Sequence, residues 1–425
     1  MPYQIDSSRD VLDAADSWAE RRSRWPRVGR NVLFIGLTSL LTDVSAEMVA
    51  TVLPLYLIYT VGLTPIQFGV VDGVQQGAAG VLRLAGGYLG DRLRRYKEVA
   101  ATGYAVSALC KPALLAASSW ASLTAIVFVD RAGKGIRTAP RDALISLSVR
   151  RPDLGVAFGV HRALDTAGAM IGPLVAFGLL ALAPRAFDAI FVVSFCFALV
   201  GLSVLLLFVR NPSADPETAL APPRVTLREA AALLGDRSFR TLVLVAGVLG
   251  LMTLSDGFLY LVLQRQLEFD PQLFPLLYFA TALVYMLLAI PAGRIADRFG
   301  RYRVFFAGYG VLVGVYASLL VPASGDVPRL VLYLLLLGVF YATTEGVLMA
   351  LASAALPNEL RGSGLALIVS ATGLARLVAS VTFGAAWTVF GMDVAVACFA
   401  LALLCALPPA AYAVARTRRE ALDAS

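Results

Sequence analysis

From residue 31 the chain alternates long apolar runs with short polar breaks, and twelve of the runs reach the length of a membrane crossing. A helix spanning the hydrocarbon core of a bilayer needs about 20 predominantly apolar residues. Such runs lie near 31–59, 65–90, 98–117, 121–147, 156–182, 187–209, 239–264, 271–291, 303–322, 328–355, 362–388 and 392–414. The pattern predicts an all-α polytopic membrane protein with twelve transmembrane helices. Polar positions inside the runs are few and periodic. Asp43 and Glu47 lie one turn apart on the first span and share a face. Asp72, Gln76 and Arg83 fall on one stripe of the second, and Asp130, Lys134, Arg137 and Arg141 on one stripe of the fourth. An ionisable group in the bilayer core costs at least ~2.5–3.5 kcal/mol, so these stripes are expected to face a cavity or a partner. At a rise of about 1.5 Å per residue, Asp43, Asp130, Arg131 and Asp165 fall near the midplane. Arg141 and His161 fall nearer the cytoplasmic edge.

Two short patterns occur twice, about half a chain apart. Gly87–Arg95 reads GYLGDRLRR and Gly293–Arg301 reads GRIADRFGR, each between two apolar runs. Pro152-Asp153-Leu154-Gly155 with Gly159 is answered by Pro357-Asn358-Glu359 with Arg361, Gly362 and Gly364. Two unrelated patterns at nearly one offset indicate an internal duplication. The organisation expected is a cytoplasmic tail at 1–30, a six-helix bundle at 31–210, a linker at 211–238, a second, pseudo-symmetric six-helix bundle at 239–415, and a tail at 416–425. The linker is Pro-rich at first. Its Thr226–Leu234 segment has an N-cap at Thr226 and Glu229 three residues on, the start of a short amphipathic helix.

Composition agrees with the pattern. Hydrophobic residues make up 58% of the chain and charged ones 15%, against about half and a quarter in soluble domains. The net charge of +7 does not point to nucleic acid, because the bases lie in short loops where membrane topology explains them. Arg21 to Arg30, Arg92 to Lys97, Arg150 and Arg151, Arg224 to Arg240, Arg294 to Arg303 and Arg416 to Arg419 all fall on one side. That side is expected to be cytoplasmic and to hold both termini of a multi-pass inner-membrane protein. The first 30 residues lack an apolar core of signal-peptide type. Cys110, Cys196, Cys398 and Cys405 lie in apolar runs with no metal-site spacing. No cofactor or metal is expected, and a monomer in the lipid bilayer is.

The duplicated loop, G-x3-D-R-x-G-R, resembles the signature loop between the second and third helices of each half of a major facilitator superfamily transporter. The second copy matches fully. In the first, Arg94 stands in place of the usual glycine and Tyr96 in place of a base. The resemblance implies a conformational latch of Gly87, Asp91, Arg92, Gly293, Asp297, Arg298 and Arg301. Each aspartate would meet a helix N-terminus of the opposite half, that of span 11 for Asp91 and span 5 for Asp297, in the outward-open state. Asp130-Arg131-Ala132-Gly133-Lys134-Gly135 is similar to the family's helix-4 motif, whose arginine is linked to proton transfer and maps to Arg131. Gly159, Gly168, Gly172 and Pro173 match the spacing of the helix-5 motif of drug:proton antiporters, with Ala176-Phe177 in place of its final glycine pair. Each pattern has a plainer reading: Asp130 and Arg131 in fixed salt bridges, and the glycines as ordinary close packing.

These features predict a proton-coupled secondary transporter that exports a small lipophilic or amphipathic compound by alternating access. Asp43, Glu47, Arg131 and Asp165 are the expected proton-coupling residues. Asp72, Arg83, Asp130, Lys134, Asp256, Glu345 and Arg376 are expected around the substrate. Asp256 is read as mid-helix, and Glu345 and Arg376 as a pair on adjacent helices. The alternative is a proton-coupled importer of an anionic metabolite or iron-chelating molecule, for which Arg83, Lys111, Arg131, Lys134 and Arg162 would supply the charge. An enzyme is not supported, since the chain has no nucleophile–base pair, phosphate loop or metal set.

Overall fold

The computed structural model describes residues 29–78, 95–117, 119–149, 153–211, 233–321, 327–356 and 360–423. Over these residues the chain forms thirteen α-helices and no strand. They are α1 (Arg30–Leu55), α2 (65–78), α3 (Tyr96–Ala116), α4 (Trp120–Leu147), α5 (Leu154–Leu182), α6 (Phe187–Phe208) and α7 (Arg237–Gly250). There follow α8 (Asp256–Leu267), α9 (Phe274–Phe299), α10 (Arg301–Leu319), α11 (Val327–Ala354), α12 (Arg361–Phe390) and α13 (Met392–Asp423). Nine stretches among the described residues are long and apolar enough to cross a membrane. α4 is as long as these but carries Asp130, Arg131, Lys134, Arg137, Arg141 and Asp142. Large apolar side chains face outward, with Leu182 86% and Leu207 75% exposed, as expected of a surface that lipid covers.

Two elements depart from straight helix for identifiable reasons. Pro54 has no N–H to give, and past it the ladder of α1 widens into a π turn, Tyr56–Thr60, closed by the bond from the Val61 N–H to the Tyr56 carbonyl at 2.9 Å. The single span expected at 239–264 is instead two helices, α7 and α8, broken at residues 251–255. Ser255 caps α8 by accepting from the Phe258 N–H at 3.3 Å. Tyr316 of α10 fills the break: its hydroxyl accepts from the Leu254 N–H at 2.8 Å and donates to the Met252 carbonyl at 3.2 Å. Asp256 is therefore the first residue of a helix and not mid-helix. At the far end, α13 runs on to Asp423, through residues expected as a tail.

The helices pair in a pattern that occurs twice. α1 packs on α5 and α6, and α3 on α4 and α6; α7 packs on α12 and α13, and α10 on α11 and α13. Between the two sets, α5 and α1 lie against α9, and α1 against α8. Lipid tails are as apolar as leucine, so helix contacts here depend on close fit and small residues. A Cβ on Gly172 would meet the Val44 carbonyl at 2.8 Å, and one on Gly168 would enter the backbone of α1 at Leu40. α3 and α4 touch at Gly103 and Gly133, where a Cβ on either would lie 2.7 Å from the other's carbonyl. Gly159 has nothing within 4 Å of its Cβ position. Gly168→Leu is thus expected to cost about 1–3 kcal/mol or more through overpacking, seen as a lower Tm in detergent, whereas Gly159→Ala should leave Tm nearly unchanged. Gly300 joins α9 to α10 at φ 102°, a conformation that disfavours side chains. It occupies the position where the first copy of the duplicated loop has Arg94.

Candidate functional site

Where the two sets of helices face each other, they enclose a cavity of about 170 Å³. Glu47 of α1, Asp72, Gln75 and Gln76 of α2, and Arg131 of α4 reach it from the first set, and Asp256 of α8 and Tyr278 of α9 from the second. Leu53, Pro54, Leu57, Phe68 and Val71 add an apolar side to the lining, which carries three carboxylates among the described residues. Tyr341 donates to one oxygen of Asp256. Asp72 is buried and accepts from the Ser380 hydroxyl of α12 at 2.6 Å.

Arg131 is the cation at the wall, and it is already held. Its Nη2 donates to Asp130 Oδ2 at 2.8 Å. Asp130 Oδ1 accepts from Lys111 Nζ at 2.7 Å and from Ser107 Oγ at 2.6 Å. Lys111 and Asp130 are buried between α3 and α4 and Arg131 is half-buried beside them, with side chains 4%, 9% and 14% exposed. Asp130 faces a cleft of about 20 Å³ and not the central cavity. The Arg131 Nε has no hydrogen-bond partner among the described residues.

One turn from Glu47 along α1, the carboxyl group of Asp43 comes close to that of Asp165 of α5. Lys134 and Arg137 of α4 stand close to Asp43. Arg141 reaches Asp165 at 3.8 Å, and Arg162 at 3.9 Å. Beyond them, the buried His161 shares a hydrogen bond of 2.9 Å with Ser39, which also meets Arg141 Nη1 at 3.4 Å. Ionisable side chains therefore continue from the cavity to the Arg30 end of the first set: Glu47, Asp43, Asp165, Arg141.

At the other end of the molecule, where α1 finishes, the two sets are sealed together. Tyr59 donates to Gln264 at the end of α8. The Ile66 N–H donates to Thr388 Oγ1 at 3.0 Å. Phe258 packs on Phe68 and Phe383 with ring centroids 4.7 and 4.8 Å apart, and Arg265 lies over Trp387 at 5.1 Å.

The other expected residues are dispersed. Glu345 and Arg376 face each other at 3.9 Å, partly exposed; neither lines the cavity, but both stand near Asp256, which does. Lys134 belongs with Asp43 and not with the cavity. Asp297 is exposed and paired with Arg301 at 2.8 Å. With Gly293 these two border a cleft of about 130 Å³ between α9 and α11. Arg298 lies over Phe299 at 5.5 Å. Gly87, Asp91, Arg92 and Arg83, and the linker helix expected from Thr226, lie outside the described residues. Sequence reasoning missed Ser255, Ser380, Gln75, Tyr59 and Gln264. Part of this was legible, since Gly69, Gly73 and Gly77 on α2 and Gly373, Ser380 and Gly384 on α12 form small-residue stripes at helical spacing.

A family model for the Major Facilitator Superfamily matches residues 35–380. An uncharacterized MFS-type transporter of Methanocaldococcus jannaschii is 30% identical over 370 residues, covering 85% of this chain and 89% of that protein. An uncharacterized protein of Mycobacterium tuberculosis is 38% identical over 159 residues, 37% of this chain and 38% of its own length. Among solved structures, the nucleoside transporter NupG superposes with a TM-score of 0.76 at 13% identity, over 90% of this chain and 98% of its own. A POT family transporter in complex with 5-aminolevulinic acid gives 0.72 at 12% identity, over 92% and 97%. A bacterial homologue of the human lysosomal transporter Spinster, inward-facing and unoccupied, gives 0.66 at 12%, over 93% and 96%.

Proposed function

The chain belongs to the Major Facilitator Superfamily, and we propose that within it the protein is a proton-coupled antiporter exporting a small amphipathic solute that carries a positive charge. The membership makes it a multi-pass membrane transporter and not an enzyme. The further reading is ours. α7 and α8 together make one crossing, so that twelve crossings form two six-helix bundles, 31–210 and 239–415; the repeated pairing pattern supports this. Both termini are cytoplasmic, by the distribution of Arg and Lys. The sealed Tyr59 end is then the outer gate, and the conformation is the one open to the inside. The exposed Asp297, paired with Arg301 of its own half, is the released form of the latch.

One observation carries the substrate reading: Glu47, Asp72 and Asp256 converge on a single cavity where, among the described residues that line it, the one cation is Arg131, neutralised by Asp130. A carboxylate in that chamber holds either a proton or a solute cation, and mutual exclusion of the two is exchange. The carboxylates in the lining disfavour a purely lipophilic compound, and its apolar side, Leu53, Leu57, Phe68 and Val71, suits an amphipathic one. Asp43 and Asp165 are the proton reserve one turn away. An anionic metabolite is the second reading, favoured by the unpartnered Arg131 Nε, which offers one donor to a carboxylate.

The test is transport by purified protein in proteoliposomes loaded with a pH dye, under an imposed pH gradient, against primary amines, quaternary ammonium ions, carboxylates, nucleosides and dipeptides. Antiport predicts that outward proton gradients drive amine or ammonium uptake with coupled proton efflux. Proton-coupled uptake of carboxylates alone would replace this reading with the second.

A further inference from the structure

We propose that Asp72 is the positioning residue that ties the filling of the central cavity to the outer gate. Its carboxylate belongs to both. It lines the cavity, and it is 6% exposed, directly beneath the seal. Oδ2 accepts from Ser380 of α12 at 2.6 Å. At the start of α8, capped by Ser255, the Cβ position of Gly257 lies 3.3 Å from Asp72 Oδ1. One side chain of the first half thus meets two segments of the second, α12 and the start of α8 in the broken seventh crossing.

The surroundings leave no slack. A Cβ on Gly257 would also lie 3.1 Å from the Phe68 ring. On α2, a Cβ at Gly73 would meet the Leu377 carbonyl at 2.8 Å, and Gly69 and Gly384 sit equally tightly on the backbones of Ser380 and Pro65. Phe68, the residue one turn from Asp72, carries the Phe258–Phe383 stack that closes the gate. Close-packed backbones of this kind have two arrangements, docked or parted, with little between them. A solute group that draws the Asp72 carboxylate into the cavity removes its bond to Ser380 and releases α12 and α8 together. The lock stands on geometry alone; that it faces outward, and that a solute works it, rests on the reading above.

The experiment measures gate distance directly. The full-length protein, with Cys110, Cys196, Cys398 and Cys405 replaced, carries spin labels at Thr60 and Val389, exposed residues on opposite rims of the gate. Pulsed electron–electron resonance in nanodiscs gives the distance distribution. Wild type is expected to show one short-distance population. Asp72→Ala and Ser380→Ala should each enlarge a long-distance population about tenfold or more, the effect of losing one buried hydrogen bond to a charged group. Asp72→Asn retains an acceptor for Ser380 and should stay within about threefold of wild type. Ser380→Ala keeps the acid and covers the case in which Asp72→Ala does not fold. Unchanged distances in Ser380→Ala and Asp72→Ala, or an Asp72→Asn protein as open as Asp72→Ala, would overturn the proposal. A failure of proton antiport would appear in flux and leave these distances as they are.

Discussion

Asp130→Asn is expected to destabilise the protein more than any other single change to its ionisable groups, by about 3–5 kcal/mol. The reason lies in the triad. Lys111 is buried and Arg131 mostly so, and they share one carboxylate, each at 2.7–2.8 Å. Removing that charge strands two cations in a region of low dielectric, where hydration cannot replace the lost partner. The protein should express poorly, and Tm in detergent should fall well below that of the parent. Lys111→Met added to Asp130→Asn removes one stranded cation and should restore part of the loss. If Asp130→Asn melts with the wild type, the triad does not hold α3 to α4. The test also separates two roles of Arg131. A residue locked to Asp130 positions the cavity wall; a residue that moves with each cycle would tolerate the loss of its partner better.

The second large effect concerns coupling. Asp43→Asn and Asp165→Asn should each lower gradient-driven solute accumulation about a hundredfold or more, the scale on which a positioned proton-transfer group counts. Solute exchange without a gradient should persist within a few-fold, because neither residue lines the cavity. The contrast between the two assays identifies uncoupling and excludes simple misfolding. Asn at either position keeps a hydrogen-bonding partner for the other carboxyl, so the contact between α1 and α5 survives while the exchangeable proton is lost. Equal loss in both assays would mean that the pair is structural.

Much of this was legible in the chain. Apolar run length marked the all-helical class and most of the helices, nine of them long and apolar enough to cross a membrane among the described residues, since lipid forces every backbone group to be satisfied within a helix. The stripe of Asp43 and Glu47 correctly put both on one face, because helical period alone decides that. What the sequence could not give was partners across helices. Asp43 meets Asp165 only because Gly168 and Gly172 let α5 sink onto α1. Asp130 turns to Lys111 instead of the cavity because Gly103 and Gly133 set the depth of α3 on α4. The break at 251–255 was hidden by hydropathy, which averages across it. Ser255-Asp256 is nonetheless a helix-start signal, a capping hydroxyl followed by an acid in the first turn. Ser380 had no signal of its own beyond its place in a small-residue stripe. Gly159 shows the limit of motif reading. It fits the antiporter spacing, yet it makes no close approach here, whereas Gly168 and Gly172 of the same motif do.

The central claim is that carboxyl groups in one chamber hold protons and release them to solute. Proton release on binding measures it without a membrane. Purified protein in detergent and weak buffer, with an indicator dye, is mixed with the amine or ammonium ion that gave the largest signal in the transport panel. The account predicts about one proton released per solute bound in the wild type, and the same release in the Asp43→Asn/Asp165→Asn double variant, since neither residue lines the cavity. Stoichiometric binding with no proton release in the wild type, at any pH from about 4 to 8, a range that includes the ordinary carboxyl and imidazole values, would contradict it.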